Sequence, residues 1–321
     1  MRRIYITDII HNEVTAFCNT LFANITHPKF EKPLDNLTKL ALNYHAGSPK
    51  RKYINTIIKN YNNLKSAKPS DFNNFISIFE NIIQYSELPE GFSESIVKAM
   101  RYDRLRSTEY PNFIKKFTIK ACVSCNAILT VVIDVDKSNP ADIKRKNIFE
   151  LDHFKPTSKY PYFCTSFYNL HPTCGNCNRS KNAEETFFNL YTESENDLDV
   201  FEFKLSEESV VNYWIYLDIK DVTLNFTSIE NNIALIENHN RYFKVDKIYE
   251  EQMDLVEELL QKSMIYNKAS RESLVSSFNS IFSDETTIRR LIIGNYTNEE
   301  DIHKRPMAKF TQDIARQLGL I

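Results

Sequence analysis

Glycine is nearly missing from this chain of 321 residues: there are 5, where average usage would give about 22. That scarcity disfavours Gly-rich phosphate loops and β-propeller blades, whose tight turns need residues free to take positive φ. Tryptophan occurs once, at Trp214, and is expected in the core. Net charge is close to absent too, at −2. No apolar run approaches the ~20 residues of a membrane helix. The opening residues Met1 to Asp8 turn polar too early for a secretory signal, so the expectation is a cytoplasmic protein with no membrane partner. What the chain has instead is aromatic bulk, 22 Phe and 17 Tyr, within an ordinary globular balance of 42% hydrophobic and 26% charged residues. This points to a largely helical body of two or three domains.

The small net charge hides a strong local asymmetry. Residues 97–181 carry 15 basic and 7 acidic side chains, and residues 182–260 carry 5 and 19. A basic stretch can hold a polyanion even on a chain that is acidic as a whole; a solvated charged surface is the alternative.

Residues 1–120 read mostly as helix. Phe72, Phe75, Ile76, Phe79, Ile82 and Ile83 recur near a 3.6-residue period, and 37–44, 53–64 and 93–102 look similar. Breaks are expected at His27-Pro28, Ser48-Pro49, Lys68-Pro69 and Leu88-Pro89. Residues 128–135, 200–205 and 222–226 read as strands. Helices return from Asp246, a candidate N-cap for a helix reaching Tyr266, with Gly294 and Gly319 placed as C-caps.

Of six cysteines, four form two C-x-x-C pairs, Cys122/Cys125 and Cys174/Cys177. Two residues between thiolates let both reach one ion from a tight knuckle, and two knuckles complete a tetrahedral Cys₄ zinc site. Metal is preferred to two disulfides because intracellular disulfides are uncommon. Such a closed set is structural, with no open position for water. Cys18 and Cys164 lack this spacing and read as buried apolar thiols.

The segment between the knuckles carries the chemistry. Hydrolysis of a phosphodiester needs a base for water and a cation to offset charge on the phosphate. His153 has a side chain suited to the first task. Asp152 and Asn178 offer hard oxygens for Mg²⁺ or Mn²⁺. Adjacent strand residues point to opposite faces, so Asp152 and His153 can share a site only at a twisted strand end. His171 reads as a loop histidine near the zinc rather than as a ligand. Arg179, Lys181, Lys155 and Lys159 are candidate phosphate contacts, with plain surface charge as the alternative. Lys98, Arg101, Arg104 and Arg106, with Tyr102 and Tyr110 among them, read as a basic, aromatic entry surface for nucleic acid, with a solvated helix face as the alternative.

In its order of Leu151-Asp152-His153, Asn169-Leu170 and Cys174-x-x-Cys177-Asn178-x-x-Lys181, the chain resembles the HNH endonuclease family. The match covers about 120–185. It implies an α+β fold in which mostly helical domains flank a small zinc-stabilised, treble-clef-like ββα-metal nuclease module. It also implies that His153 is the general base, that Asp152 binds the catalytic ion, and that Asn169 braces the loop and orients the His153 ring. DNA is the substrate expected of the family. The domains would run 1–118 (helical), 119–190 (nuclease) and 191–321 (short strands, then helices).

Tyr102–Tyr110, Lys159–Tyr162 and Arg305–Lys309 are similar to stretches of HNH proteins encoded beside an AAA/ABC-type ATPase, as in Septu-like anti-phage systems. This implies a defence nuclease with an ATPase partner. A non-catalytic zinc module that binds nucleic acid or a partner protein is the competing reading, since it needs the cysteines but not Asp152, His153 and Asn178 together.

Overall fold

The computed structural model describes all residues except 24, 26, 28, 137, 139–142 and 279–283. Pro28 of the expected His27-Pro28 break therefore lies outside the described residues. Packing groups the chain into two units, neither continuous in sequence: 3–117 with 131–198, and 1–2 with 118–130 and 199–321.

The first unit opens with β1 (Ile4–Tyr5) and five helices: α1 (Asp8–Thr20), α2 (Pro33–Leu42), α3 (Pro49–Ser66), α4 (Phe72–Glu80) and α5 (Phe92–Ala99). The expected Ser48-Pro49 start is observed: the Ser48 side chain accepts from the Arg51 N–H, and Pro49 takes the first helical position, where its missing N–H costs nothing. A short α6 (Tyr102–Arg104) runs through a π-helical turn at Leu105–Glu109 into α7 (Tyr110–Ile114). The antiparallel pair β2 (Val131–Asp136) and β3 (Lys144–Ile148) follows. A second antiparallel pair, β4 (Glu150–His153) and β5 (Leu170–Thr173), leads directly into α8 (Gly175–Lys181), which packs on β4. β6 (Tyr191–Thr192) closes the unit by pairing in parallel with β1.

The aromatic excess fills this unit's core. The loop between β4 and β5 inserts Tyr162 and Phe163 among the helices: Tyr162 stacks on Phe79 at 3.8 Å and Phe163 meets Phe72 at 4.7 Å. Each fully buried ring is worth roughly 1.5–3 kcal/mol of transfer free energy. The loop is thus held down by its own side chains rather than by glycine turns.

The second unit contains β7 (Phe201–Leu205), α9 (Glu207–Tyr216), β8 (Leu224–Ser228), α10 (Ile233–Phe243), α11 (Val245–Glu250), α12 (Met253–Ile265), α13 (Lys268–Ser277), α14 (Glu285–Ile293) and α15 (Ala308–Gln317). β7 and β8 pair antiparallel, and α15 packs against β7. The first cysteine knuckle is anchored here through Asn126. Its Nδ2 donates to the Ile302 carbonyl, and its Oδ1 accepts from the Lys309 N–H at the start of α15. The Tyr249 hydroxyl donates to the Cys125 carbonyl, and His239 Nε2 to that of Ser124.

Three expectations are corrected. Trp214 is 46% exposed: α9 buries Ser209, Val210 and Tyr213, and the residue after Tyr213 turns about 100° away from that face. Asp246 is not an N-cap. The chain enters α11 through Lys244 in the left-handed region, and the helix stops at Glu250 before α12 starts at Met253. His171 sits on β5, buried, rather than in a loop. Gly294 does cap α14, at φ 71, as expected. Among the described residues no helix is long and apolar enough to cross a membrane.

Two histidines of the second unit make stability depend on pH. Burial lowers the pKa of His239 to about 3 and that of His303 to about 4. In the unfolded chain each returns to ~6.5, so on acidification the unfolded state takes up protons first. Stability is full above ~6.5 and falls below it by about 1.4 kcal/mol per pH unit per histidine. Urea denaturation at pH 7 and pH 5 should show a loss of about 2 kcal/mol from each. His239→Gln, which keeps a donor for the Ser124 carbonyl, should show a shallower slope; an unchanged slope would refute the assignment.

Candidate functional site

β4 and α8 meet through two polar rungs. Glu150 and Asp152 are two apart on a strand and share a face; Asn178 and Lys181 are three apart on a helix and share one. Asn178 Nδ2 donates to Glu150 Oε2 at 2.5 Å. Lys181 Nζ donates to Asp152 Oδ1 at 2.7 Å and to the His153 carbonyl at 2.8 Å. Lys181 is 1% exposed and Asp152 4%. The expected phosphate contact at Lys181 is thereby corrected: its ammonium has left water and serves β4 instead. Burial pushes the Asp152 carboxyl up to about 6, against the pull of the Lys181 ammonium, so the carboxyl is ionised at neutral pH.

His153 is set from the opposite side. Its Nε2 lies 3.1 Å from the Cys164 carbonyl oxygen, which can only accept, so Nε2 carries the proton and Nδ1 keeps its lone pair. Burial lowers its pKa to about 4, with the Cys164 hydrogen bond opposing. The ring packs on Tyr102 at 4.7 Å. Tyr102 and Tyr110, expected on an entry surface, are buried, because their hydroxyls donate to the Leu151 and Leu170 carbonyls of the strand pair.

Asn169 is fully buried and braces the loop after β4. Its Oδ1 accepts from the Lys155 N–H at 2.6 Å, and its Nδ2 donates to the Lys155 and Phe163 carbonyls. No hydrogen bond joins it to the His153 ring, which takes its orientation from the Cys164 carbonyl. His171 Nε2 faces Asn189 and the Leu190 N–H, with its pKa lowered to about 3 by burial.

Asp152, His153 and Asn178 nevertheless converge. Together with Tyr102, Arg106 and Asn182 they line one cleft of about 280 Å³. Arg106 is the basic residue of the expected entry surface that reaches it. Of that surface, Arg101 bonds to the Glu31 carbonyl and lies over the Phe30 ring, Arg104 pairs with Glu109, and Arg106 itself lies 3.9 Å from Asp103; Arg179, a candidate phosphate contact, is 3.8 Å from Glu150. Lys155 lies 2.5 Å from Glu185 and Lys159 3.7 Å. Burial opposes ionisation of Glu185, but Lys155, Tyr160 and Lys159 outweigh it and keep the carboxyl below its ordinary range. Glu150, Glu185 and the Cys164 carbonyl escape a reading of the sequence; of these, only Glu150 carried a signal, its place two residues before Asp152.

The four cysteines of the two C-x-x-C pairs are buried, and their sulfurs all lie within 4.8 Å of one another. Four thiolates on a Zn²⁺ ion at ~2.3 Å sit about 3.8 Å apart, a spacing inside that limit. The cluster can hold a metal ion such as zinc. Cys18 and Cys164 are buried free thiols, as expected.

Lys181→Met removes one half of a buried pair and leaves Asp152 without its counter-charge. Chemical denaturation should show a loss of about 3 kcal/mol or more. Asp152 should also titrate higher than in the native chain, since the ammonium is what holds its pKa down. A variant as stable as the parent would show that the pair contributes nothing. No family model, curated protein or solved structure matches this chain.

Proposed function

We propose that this chain is a metal-dependent endonuclease that hydrolyses phosphodiester bonds, with DNA as its substrate. The observation that carries the reading is the convergence of Asp152, His153 and Asn178 on one cleft, where a strand pair runs into the helix that begins at the second cysteine pair. In this reading zinc on the four thiolates is structural, because a Cys₄ set has no open position.

The residues present suit a second, hard ion. Asn178 spends its Nδ2 on Glu150, which leaves Oδ1 as a hard carbonyl oxygen. An ionised Asp152 retains acceptor capacity beyond its bond to Lys181. Mg²⁺ or Mn²⁺ held by these two would supply positive charge against that developing on the phosphate and leaving oxygen. His153 is the base: with Nε2 committed to the Cys164 carbonyl, Nδ1 is the nitrogen that takes the proton from water. Its lowered pKa keeps it neutral, and so able to accept, at physiological pH. Arg106 is placed to pair with a phosphate. The resemblance at 102–110, 159–162 and 305–309 extends the proposal to an ATPase partner in anti-phage defence in the cytoplasm.

One observation favours the non-catalytic zinc module. The Lys181 ammonium already occupies Asp152 Oδ1, a place where a catalytic ion would compete. Nucleic-acid binding without hydrolysis across several divalent ions would decide for it.

Two measurements test the proposal. Purified protein should contain one zinc per chain by metal analysis, and Cys177→Ser should lose it and melt earlier; a metal-free but fully stable parent would refute the zinc site. His153→Ala should lower Mg²⁺- or Mn²⁺-dependent cleavage of plasmid DNA by about 10²–10⁴-fold with folding intact. Full cleavage by this variant would remove His153 as the base.

A further inference from the structure

α3 departs from the charge rules of its neighbours. Its 18 residues include Lys50, Arg51, Lys52, Lys59 and Lys65 and no carboxylate. Helices α1 and α2 place Asp8 and Asp35 in their first turns, where the partial positive charge of a helix start favours an acid. α3 places three consecutive cations there instead. Lys50 is accommodated over the Tyr44 and Phe92 rings, at 5.3 and 5.9 Å. Among the described residues Arg51, Lys52 and Lys59 make no ion pair within 4.0 Å; Arg51 reaches only the Tyr44 carbonyl, at 3.4 Å. Arg51 and Lys52 oppose the dipole at the helix start, and among the described residues no carboxylate lies within 4.0 Å of Lys59.

These cations border a groove. Gly47, Arg51, Lys52, Asn55, Thr56 and Lys59 line an open cleft of about 470 Å³ that no carboxylate enters. Gly47 turns the chain into α3 at φ +95, a conformation that favours glycine. Lys52 and Lys59 are seven residues apart, about 10 Å along the helix. Over that length one nucleic-acid strand presents roughly three phosphates. The groove offers three cations, with the Asn55 amide between them. A single small anion would leave most of these groups unused, and no large apolar side chain lines the groove to enter a lipid surface. α3 also packs against the Pro161–Phe163 turn, and Tyr53 meets Tyr162 at 6.1 Å, so the helix rests on the loop that carries the Cys164 carbonyl.

We propose that the groove along the first half of α3 is a second binding site, for the sugar–phosphate backbone of nucleic acid, in which Arg51, Lys52 and Lys59 pair with successive phosphates. It is distinct from the cleft at Asp152 and His153 and binds without regard to base sequence. Its occupation satisfies the cations that α3 leaves uncompensated.

The test uses the full chain and a fluorescently labelled 25-base-pair duplex, with anisotropy measured over a range of salt and no added divalent ion. Lys52→Gln with Lys59→Gln should weaken binding about tenfold at moderate salt and reduce the slope of log K against log salt by about 2. Lys220→Gln, on the other unit, should change neither. Without DNA the double variant should melt no earlier than the parent, and DNA should raise the parent's melting temperature more than the variant's. Unchanged affinity and salt slope would overturn the proposal, as would no binding of the duplex by the parent. So would tighter capture of an acidic polypeptide such as polyglutamate than of the duplex. Because nothing is cleaved in this assay, failure of the groove and failure of His153 as a base are read separately.

Discussion

A lysine ammonium gives up its water only where protein oxygens replace it. Lys181 does so on β4, bonding to the carboxylate of Asp152 and the carbonyl of the next residue. Because both acceptors belong to neighbouring strand positions, this one buried group sets the register and distance of α8 against β4. One turn earlier, Asn178 then falls opposite Glu150, and its amide is turned so that the carbonyl oxygen is free. A shift of α8 by one residue would strand a buried charge, so the rest of the cleft inherits its geometry from this contact.

The other wall is built from backbone oxygens rather than charges. Tyr102 and Tyr110 hold the strand pair by its carbonyls, and Asn169 uses both ends of its amide to shape the following loop. That loop returns the Cys164 carbonyl to the His153 ring and fixes its tautomer. Asp152 and His153 thus project to different surroundings, as alternation on a strand demands, yet both border the same cleft. Burial acts on both, raising the acid and lowering the base: it holds the imidazole neutral, while at Asp152 the Lys181 ammonium works against it in favour of the carboxylate.

Much of this was legible residue by residue. The cysteine spacing marks a metal cluster because two intervening residues suffice for a knuckle. Ser48-Pro49 and Gly294 mark helix ends through purely local geometry. Asn169 as a loop brace was implied by the resemblance and agrees with the capacity of an Asn amide for short-range backbone bonds. Direction in space was harder. Trp214 is apolar yet turns outward, Tyr102 and Tyr110 sit among arginines yet turn inward, and Lys181 looks like a surface cation yet is buried. In each case the neighbour that decides the outcome lies far away in the chain or on another element.

By itself the amino-acid order determined which chemistry was on offer: four thiols in two pairs, an adjacent acid and imidazole, an amide next to the last cysteine, and cations clustered along 97–181. Those follow from covalent spacing and side-chain identity, which no packing can alter. Tertiary structure decided which of these groups are dry, which are neutralised and which face a common cleft. Desolvation and pairing depend on what surrounds a group, and those surroundings are assembled from residues as distant as Tyr102 and Lys181.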